Sequence, residues 1–116
     1  MPVPDTTAYK VLTSEQMAEL ETGSFAGAPI DLADGYIHLS TAQQLDETVD
    51  KHFAGQSDLH IAAVDLEAQG ATLKWEPSRG GQLFPHIYGP LLLETVLAYG
   101  PLERNNQGKV KLPVTG

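Results

Sequence analysis

Leu59-His60-Ile61-Ala62-Ala63-Val64-Asp65-Leu66 is a run dominated by Ile, Val, Ala and Leu, with Asp65 its only carboxylate. So little charge over a strand-length stretch predicts a central strand buried on both faces. Working upstream, Ala8-Tyr9-Lys10-Val11-Leu12 is a short strand candidate. Thr13-Ser14-Glu15-Gln16 then predicts a capping box, Thr13 to Gln16, opening a helix to about Glu21 with Met17 and Leu20 as its apolar stripe. Residues 25–35 hold Gly27, Pro29, Asp31, Asp34 and Gly35 and read as a loop. Tyr36-Ile37-His38-Leu39 is a short strand whose alternation sets Tyr36 and His38 on one face and Ile37 and Leu39 on the other. Ser40 and Thr41, with Gln43 and Gln44 three residues on, predict a second capping box. Leu45, Val49 and Phe53 follow at i, i+4 and i+8, a core-facing helical stripe that Gly55 ends.

Downstream, Thr72 to Trp75 reads as a strand ended by Pro77. Leu83-Phe84 and His86-Ile87-Tyr88 read as a β segment broken at Pro85, and Glu94 to Tyr99 as the last strand. The order is strand, helix, strand, helix, then several strands. It predicts an α+β single domain with a mostly antiparallel sheet and two helices in its N-terminal half. Expected boundaries are a tail over 1–7, the domain over 8–102 and a polar C-terminal tail over 103–116, mobile or loosely docked.

The chain has 116 residues, 7 Lys plus Arg against 15 Asp plus Glu, a net charge of −8, and no cysteine. That length suits one core. Without cysteine there are no disulfides, thiolate metal sites or cysteine nucleophiles. The acidity argues against a long nucleic acid as partner, which needs clustered Lys and Arg. No apolar run is long enough for a membrane span, and the N-terminus lacks the basic and apolar regions of a leader, so a cytoplasmic location is expected. The four histidines, His38, His52, His60 and His86, show no metal-binding spacing, and no metal is expected. Neither a phosphate-binding glycine loop, a dinucleotide fingerprint nor a nucleophile elbow is present.

The charge is uneven. Glu15, Glu19, Glu21, Asp31, Asp34, Asp46, Glu47, Asp50, Asp58, Asp65 and Glu67 face only Lys51 between Val11 and Glu67, and read as solvated helix and loop positions. Between Ala68 and Gly100, Glu76 and Glu94 balance Lys74 and Arg79, and the only Trp lies there. Three segments have side chains suited to chemistry. In Asp34-Gly35-Tyr36-Ile37-His38-Leu39-Ser40, His38 lies at a strand end before a helix N-terminus, a place that suits a phosphate or a ribose hydroxyl. The plainer readings are a packing histidine and, for Ser40, an N-cap. In Lys74-Trp75-Glu76-Pro77-Ser78-Arg79-Gly80-Gly81, Trp75 offers a stacking surface, Glu76 an acceptor, Arg79 a donor fork, and Gly80 and Gly81 close backbone approach. A plain hairpin explains the same residues. Phe84-Pro85-His86-Ile87-Tyr88-Gly89-Pro90 presents His86 and Tyr88 from a rigid segment, or is a bend at a sheet edge.

These segments, with Tyr9-Lys10-Val11-Leu12, Thr41, Gln44 and Asp65, resemble the bacterial family called domain of unknown function 952. The resemblance covers about residues 8 to 102. It implies kinship in fold with the ADP-ribosyltransferase superfamily, whose RNA 2′-phosphotransferases use NAD and place a His within a His-Leu-Ser strand; His38-Leu39-Ser40 is similar to it. The implied site has His38, Glu76 and His86 as catalytic residues. Ser40, Thr41, Trp75, Arg79, Gly80, Gly81 and Tyr88 hold a small nucleotide-like ligand, with NAD as the implied cofactor. Glu94 is an alternative to Glu76 as the ribose-orienting carboxylate. A non-catalytic ligand-binding or protein-interaction module on the same fold is the competing expectation.

Overall fold

The computed structural model describes residues 6–78 and 81–113. It is an α+β domain whose strand pairs are all antiparallel. The strands are β1 (Thr7–Thr13), β2 (Ser24–Phe25), β3 (Ile37–His38), β4 (Leu59–Asp65), β5 (Leu73–Pro77), β6 (Leu83–Ile87), β7 (Leu91–Leu92) and β8 (Val96–Pro101). The helices are α1 (Ser14–Glu21), α2 (Pro29–Asp34) and α3 (Leu45–His52). Two three-stranded sheets, ordered β1-β4-β8 and β3-β6-β5, are accompanied by the small pair β2-β7.

The central run forms β4 and pairs with β1 along its whole length, from Thr7–Asp65 to Thr13–Leu59. Its two faces supply two cores. Ala62 and Val64 join Ala8, Leu12, Met17, Leu20, Phe25 and Ile37 on one side. Ile61 and Ala63 join Tyr9, Val11, Leu45 and Val49 on the other. Burial on both faces is why this strand has so little alternation in sequence. The first capping box forms in full: the Gln16 amide donates to Thr13 Oγ1 at 3.2 Å, and the Thr13 amide donates to Gln16 Oε1 at 3.0 Å.

Four expectations change. The stretch 25–35 is not all loop, because β2 and α2 occupy most of it. Pro29 starts α2, the Asp31 carboxylate accepts the Ala28 amide at 2.8 Å, and Gly35 closes it at φ 88°. Gly27 permits this: a Cβ there would lie 2.9 Å from the Asp31 Cβ. Second, the box at Thr41 forms by half. Gln44 Oε1 accepts the Thr41 amide at 3.0 Å, but α3 begins only at Leu45. Ser40 is no N-cap; its hydroxyl bonds Thr48 Oγ1 at 2.7 Å. Third, Asp31 is not a solvated acid but 1% exposed. Fourth, β6 runs unbroken through Pro85 and is the middle strand of its sheet.

That proline shapes the sheet. The Leu39 amide donates to the Pro85 carbonyl at 3.0 Å, and Pro85 has no N–H to return the bond. The pairing of β3 with β6 ends there, and the chain turns to β1, where Ser40 and Tyr9 exchange amide bonds of 2.8 and 2.9 Å. The two sheets thus touch at a single bridge and diverge beside it. At the other end, Arg104 and Val110 bridge, and this segment docks on α3: the Val110 amide donates to Asp46 Oδ1 at 2.7 Å, and Arg104 meets Asp50 at 3.3 Å.

Asp31 ties three elements together. Its carboxylate meets Lys10 Nζ of β1 at 2.9 Å, and its other oxygen accepts the His38 amide of β3 at 3.1 Å. Burial alone would push the Asp31 carboxyl up. The hydrogen bond from His38, the Lys10 charge and the Ala28 amide outweigh it and hold the carboxyl at about 2, below the usual 3.8. The stabilisation is therefore complete above about pH 4 and drains away as pH falls towards 2. Acid titration followed by circular dichroism is expected to show unfolding in that window. Asp31→Ala leaves Lys10 buried without its counter-charge and is expected to cost about 3–5 kcal/mol in denaturant melts; a loss below about 1 kcal/mol contradicts the assignment.

Candidate functional site

The sheet β3-β6-β5 exposes one face in a period of two. Register sets His38 opposite His86 and His86 opposite Lys74. With Tyr36 and Tyr88 at the strand ends and Glu76 beside Lys74, these residues share a face, while Ile37, Ile87 and Trp75 join the core on the other. The shared face borders a cleft of about 540 Å³ where the two sheets diverge. Its polar walls include Asp34, Tyr36, His38, Ser40 and His86, and its apolar walls include Val11, Ile30, Leu39, Phe53 and Phe84.

Tyr36 is the aromatic centre. Its ring stacks on His86 with centroids 4.2 Å apart and an interplanar angle of 27°, and lies 4.7 Å from His38 and 5.1 Å from Tyr88. The two histidine rings are 5.3 Å apart, edge to face. Burial, with the Asp34 and Glu76 charges added, pushes the Tyr36 phenol up.

The histidines are held differently. His38 has a carboxylate at each ring nitrogen, Asp31 Oδ1 at 2.6 Å on Nδ1 and Asp34 Oδ2 at 3.0 Å on Nε2. Both contacts are hydrogen bonds only when the ring donates from both nitrogens, as imidazolium. Lys10 Nζ, its ammonium pushed down by burial against the pull of Asp31, also donates to the His38 carbonyl at 3.1 Å. His86 is 2% exposed, and its Nδ1 meets Glu76 Oε1 at 2.8 Å. Its Nε2 is buried and has no hydrogen-bond partner among the described residues. A buried polar nitrogen left unsatisfied costs roughly 1–3 kcal/mol, so Nε2 calls for a donor or acceptor from water or a ligand.

Glu76 stands between His86 and Tyr88, whose hydroxyl donates to Oε1 at 2.7 Å and to Oε2 at 3.0 Å. The bonds from His86 and Tyr88 hold the Glu76 carboxyl below its usual range. The same bond to Glu76 pushes the Tyr88 phenol up to about 12. Lys74 Nζ sits 5.8 Å above the Tyr88 ring.

Of the sequence-derived site residues, His38, Ser40 and His86 line the cleft, and Glu76 and Tyr88 reach it through His86. Trp75 lies on the opposite face, paired with Pro85 and packed on the larger core. Thr41 is buried, and its amide bonds Gln44. Gly81 lies in the turn between β5 and β6 with φ 79° and is not itself a cleft wall; its amide donates to the carbonyl of Ser78, which is one, at 2.9 Å. Arg79 and Gly80 lie outside the described residues. Glu94, the alternative carboxylate, lies in the short 3-10 turn Leu93–Thr95 and is not a cleft wall. Sequence reasoning missed the structural weight of Lys10, Asp31, Asp34 and Tyr36. The one signal for Lys10 was a lysine inside an otherwise apolar strand. Among the described residues no group of three or more His, Asp or Glu is arranged to hold a metal, and no helix is long and apolar enough to cross a membrane.

In a spectrophotometric titration, one tyrosine is expected to ionise only near pH 12. Glu76→Gln replaces the strong ionised acceptor of its hydrogen bond with a weaker neutral one and removes the charge, so that step should move towards ordinary tyrosine values near 10; an unchanged profile breaks the link between Tyr88 and Glu76.

Comparison with known proteins agrees with this architecture. The crystal structure of protein CC0527 from Caulobacter crescentus is 44% identical, with a TM-score of 0.83 over 92% of this chain and 95% of that one. A double mutant of that protein gives the same values. Its solution structure matches with a TM-score of 0.77 over 91% of each chain. No curated protein matches. The family model described as "Protein of unknown function (DUF952)" matches residues 11–99. The chain belongs to that family.

Proposed function

We propose that the cleft binds a small nucleotide-like ligand and that His86 Nε2 is the atom its ribose meets. The observation that carries this reading is the buried Nε2, without a partner among the described residues, on a ring whose other nitrogen is bound to Glu76. The cleft volume of about 540 Å³ lies within the range of small-molecule sites. Apolar walls with a few convergent polar groups fit a ligand with a flat ring and a hydroxylated end.

The finer reading is ADP-ribosyltransferase-like chemistry with NAD as donor, supported by the similarity of His38-Leu39-Ser40 to the His-Leu-Ser strand of that superfamily. Breaking the nicotinamide–ribose bond develops an oxocarbenium ion, which a nearby carboxylate stabilises. Asp31 and Asp34 stand at His38 and Glu76 at His86; Asp31 is already held by Lys10 and the Ala28 amide, which leaves Glu76 and Asp34 for this role. His38 has both ring nitrogens engaged, so the ribose hydroxyl falls to His86 rather than to His38. Tyr36 covers one face of the His86 ring, and because Nε2 is buried, neighbouring side chains have to move for a ligand to reach it. The full engagement of His38 also favours the second reading, a module that binds such a ligand without turning it over.

Titration calorimetry with NAD, ADP-ribose and nicotinamide, with chromatography for released nicotinamide, tests this directly. Binding of NAD or ADP-ribose is expected, and His86→Ala is expected to weaken it about tenfold. Nicotinamide release abolished by the same substitution supports transfer chemistry, and binding without release supports the module. No binding of either nucleotide overturns the proposal.

A further inference from the structure

We infer that Glu76 and Tyr88 are positioning residues that fix His86 in its Nδ1–H tautomer. The ligand group that meets Nε2 is then a hydrogen-bond donor such as a sugar hydroxyl, not a phosphate oxygen. The inference rests on the cleft being a ligand site, and it names the chemistry of the ligand at one atom.

An ionised carboxylate only accepts hydrogen bonds. At 2.8 Å from Glu76 Oε1, His86 Nδ1 is therefore the donor. Tyr88 closes the other side of the carboxylate with contacts to both oxygens at 2.7 and 3.0 Å. The carboxylate is thereby held between two donors and cannot swing away from the ring. A proton on Nε2 would face no acceptor among the described residues; with the single N–H of a neutral imidazole at Nδ1, Nε2 carries a lone pair. That lone pair accepts from a hydroxyl and repels a phosphate oxygen. His38 offers no such acceptor, because carboxylates stand at both of its nitrogens. Two rings 5.3 Å apart on one sheet face thus present opposite chemistry, and only His86 can accept. Around His86 the charged and titratable neighbours are Glu76 and Lys74 of β5, Tyr88 after β6, and Tyr36 and His38 of the β3 segment.

The test is nitrogen NMR of the histidine rings in the uniformly labelled protein at neutral pH. The wild type is expected to show a protonated Nδ1 and an unprotonated Nε2 at His86. Glu76→Gln should raise the Nε2–H population about tenfold, the effect of weakening a bond to a charged acceptor. Tyr88→Phe should move it less, in the same direction, with the His38 signals unmoved. Glu76 and Tyr88 are both part-exposed, so these variants keep the core. A wild-type Nε2–H, or a tautomer unchanged in both variants, overturns the positioning role. Ribose 5-phosphate and inorganic phosphate are then added as probes. A shift of Nε2 with the sugar phosphate but not with phosphate alone supports the inference. A shift with inorganic phosphate alone overturns the donor assignment. A shift with neither overturns the donor assignment, while the proposed function is decided separately by the calorimetry with NAD and ADP-ribose and the tautomer result stands by itself.

Discussion

A single carboxylate, that of Asp31, sets how the three elements around the cleft meet. It is nearly sealed from water, and burying it uncompensated would be prohibitive. It is compensated by Lys10 from β1, by the ring and amide of His38 from β3 and by the amide of Ala28 at the start of α2. A buried ion pair of this kind contributes little net stability over an apolar substitute, but losing one partner is costly. Its value is in geometry. Satisfying it requires β1, α2 and β3 to meet around it, and that arrangement positions His38.

The cleft has a second cause in the backbone. Pro85 cannot complete the ladder with Leu39, so β3 leaves β6 and joins β1 at Ser40. The sheet splits at that point, and the side chains on either side of the split become cleft walls. Proline in a middle strand normally weakens a sheet. Here it ends the pairing of β3 with β6 beside the two histidines.

Much of the architecture was legible in the sequence, because it rests on local pattern. The charge-poor run became β4, and the Thr13–Gln16 box became the cap of α1. The pairing of Tyr36 with His38 on one face followed from strand alternation and held. The helix α2 was hidden because the Gly, Pro and Asp that delimit a six-residue helix are the same residues that mark a loop. Asp31 looked like one more surface acid, since its partners lie 21 residues away at Lys10 and 7 away at His38, and local spacing carries no trace of them. Trp75 was the natural candidate for stacking by residue type. Counting alternation back from Glu76 would have set it on the core side, and the aromatic that occupies the centre of the site is Tyr36.

The histidines face each other because of strand register alone. His38 pairs with His86, and Glu76 stands one diagonal step from His86 across β5 and β6. A slip of one residue in either pairing would turn a pair of the constellation, Tyr36 and His38 or Lys74 and Glu76, to the core side. A residue inserted or deleted within β5 or β6 therefore endangers the site more than one in a loop, where the extra length is absorbed. The hairpin thus obeys a rule of parity: a change of side chain alters one position, while one residue gained or lost inside a strand exchanges the inside for the outside of everything beyond it.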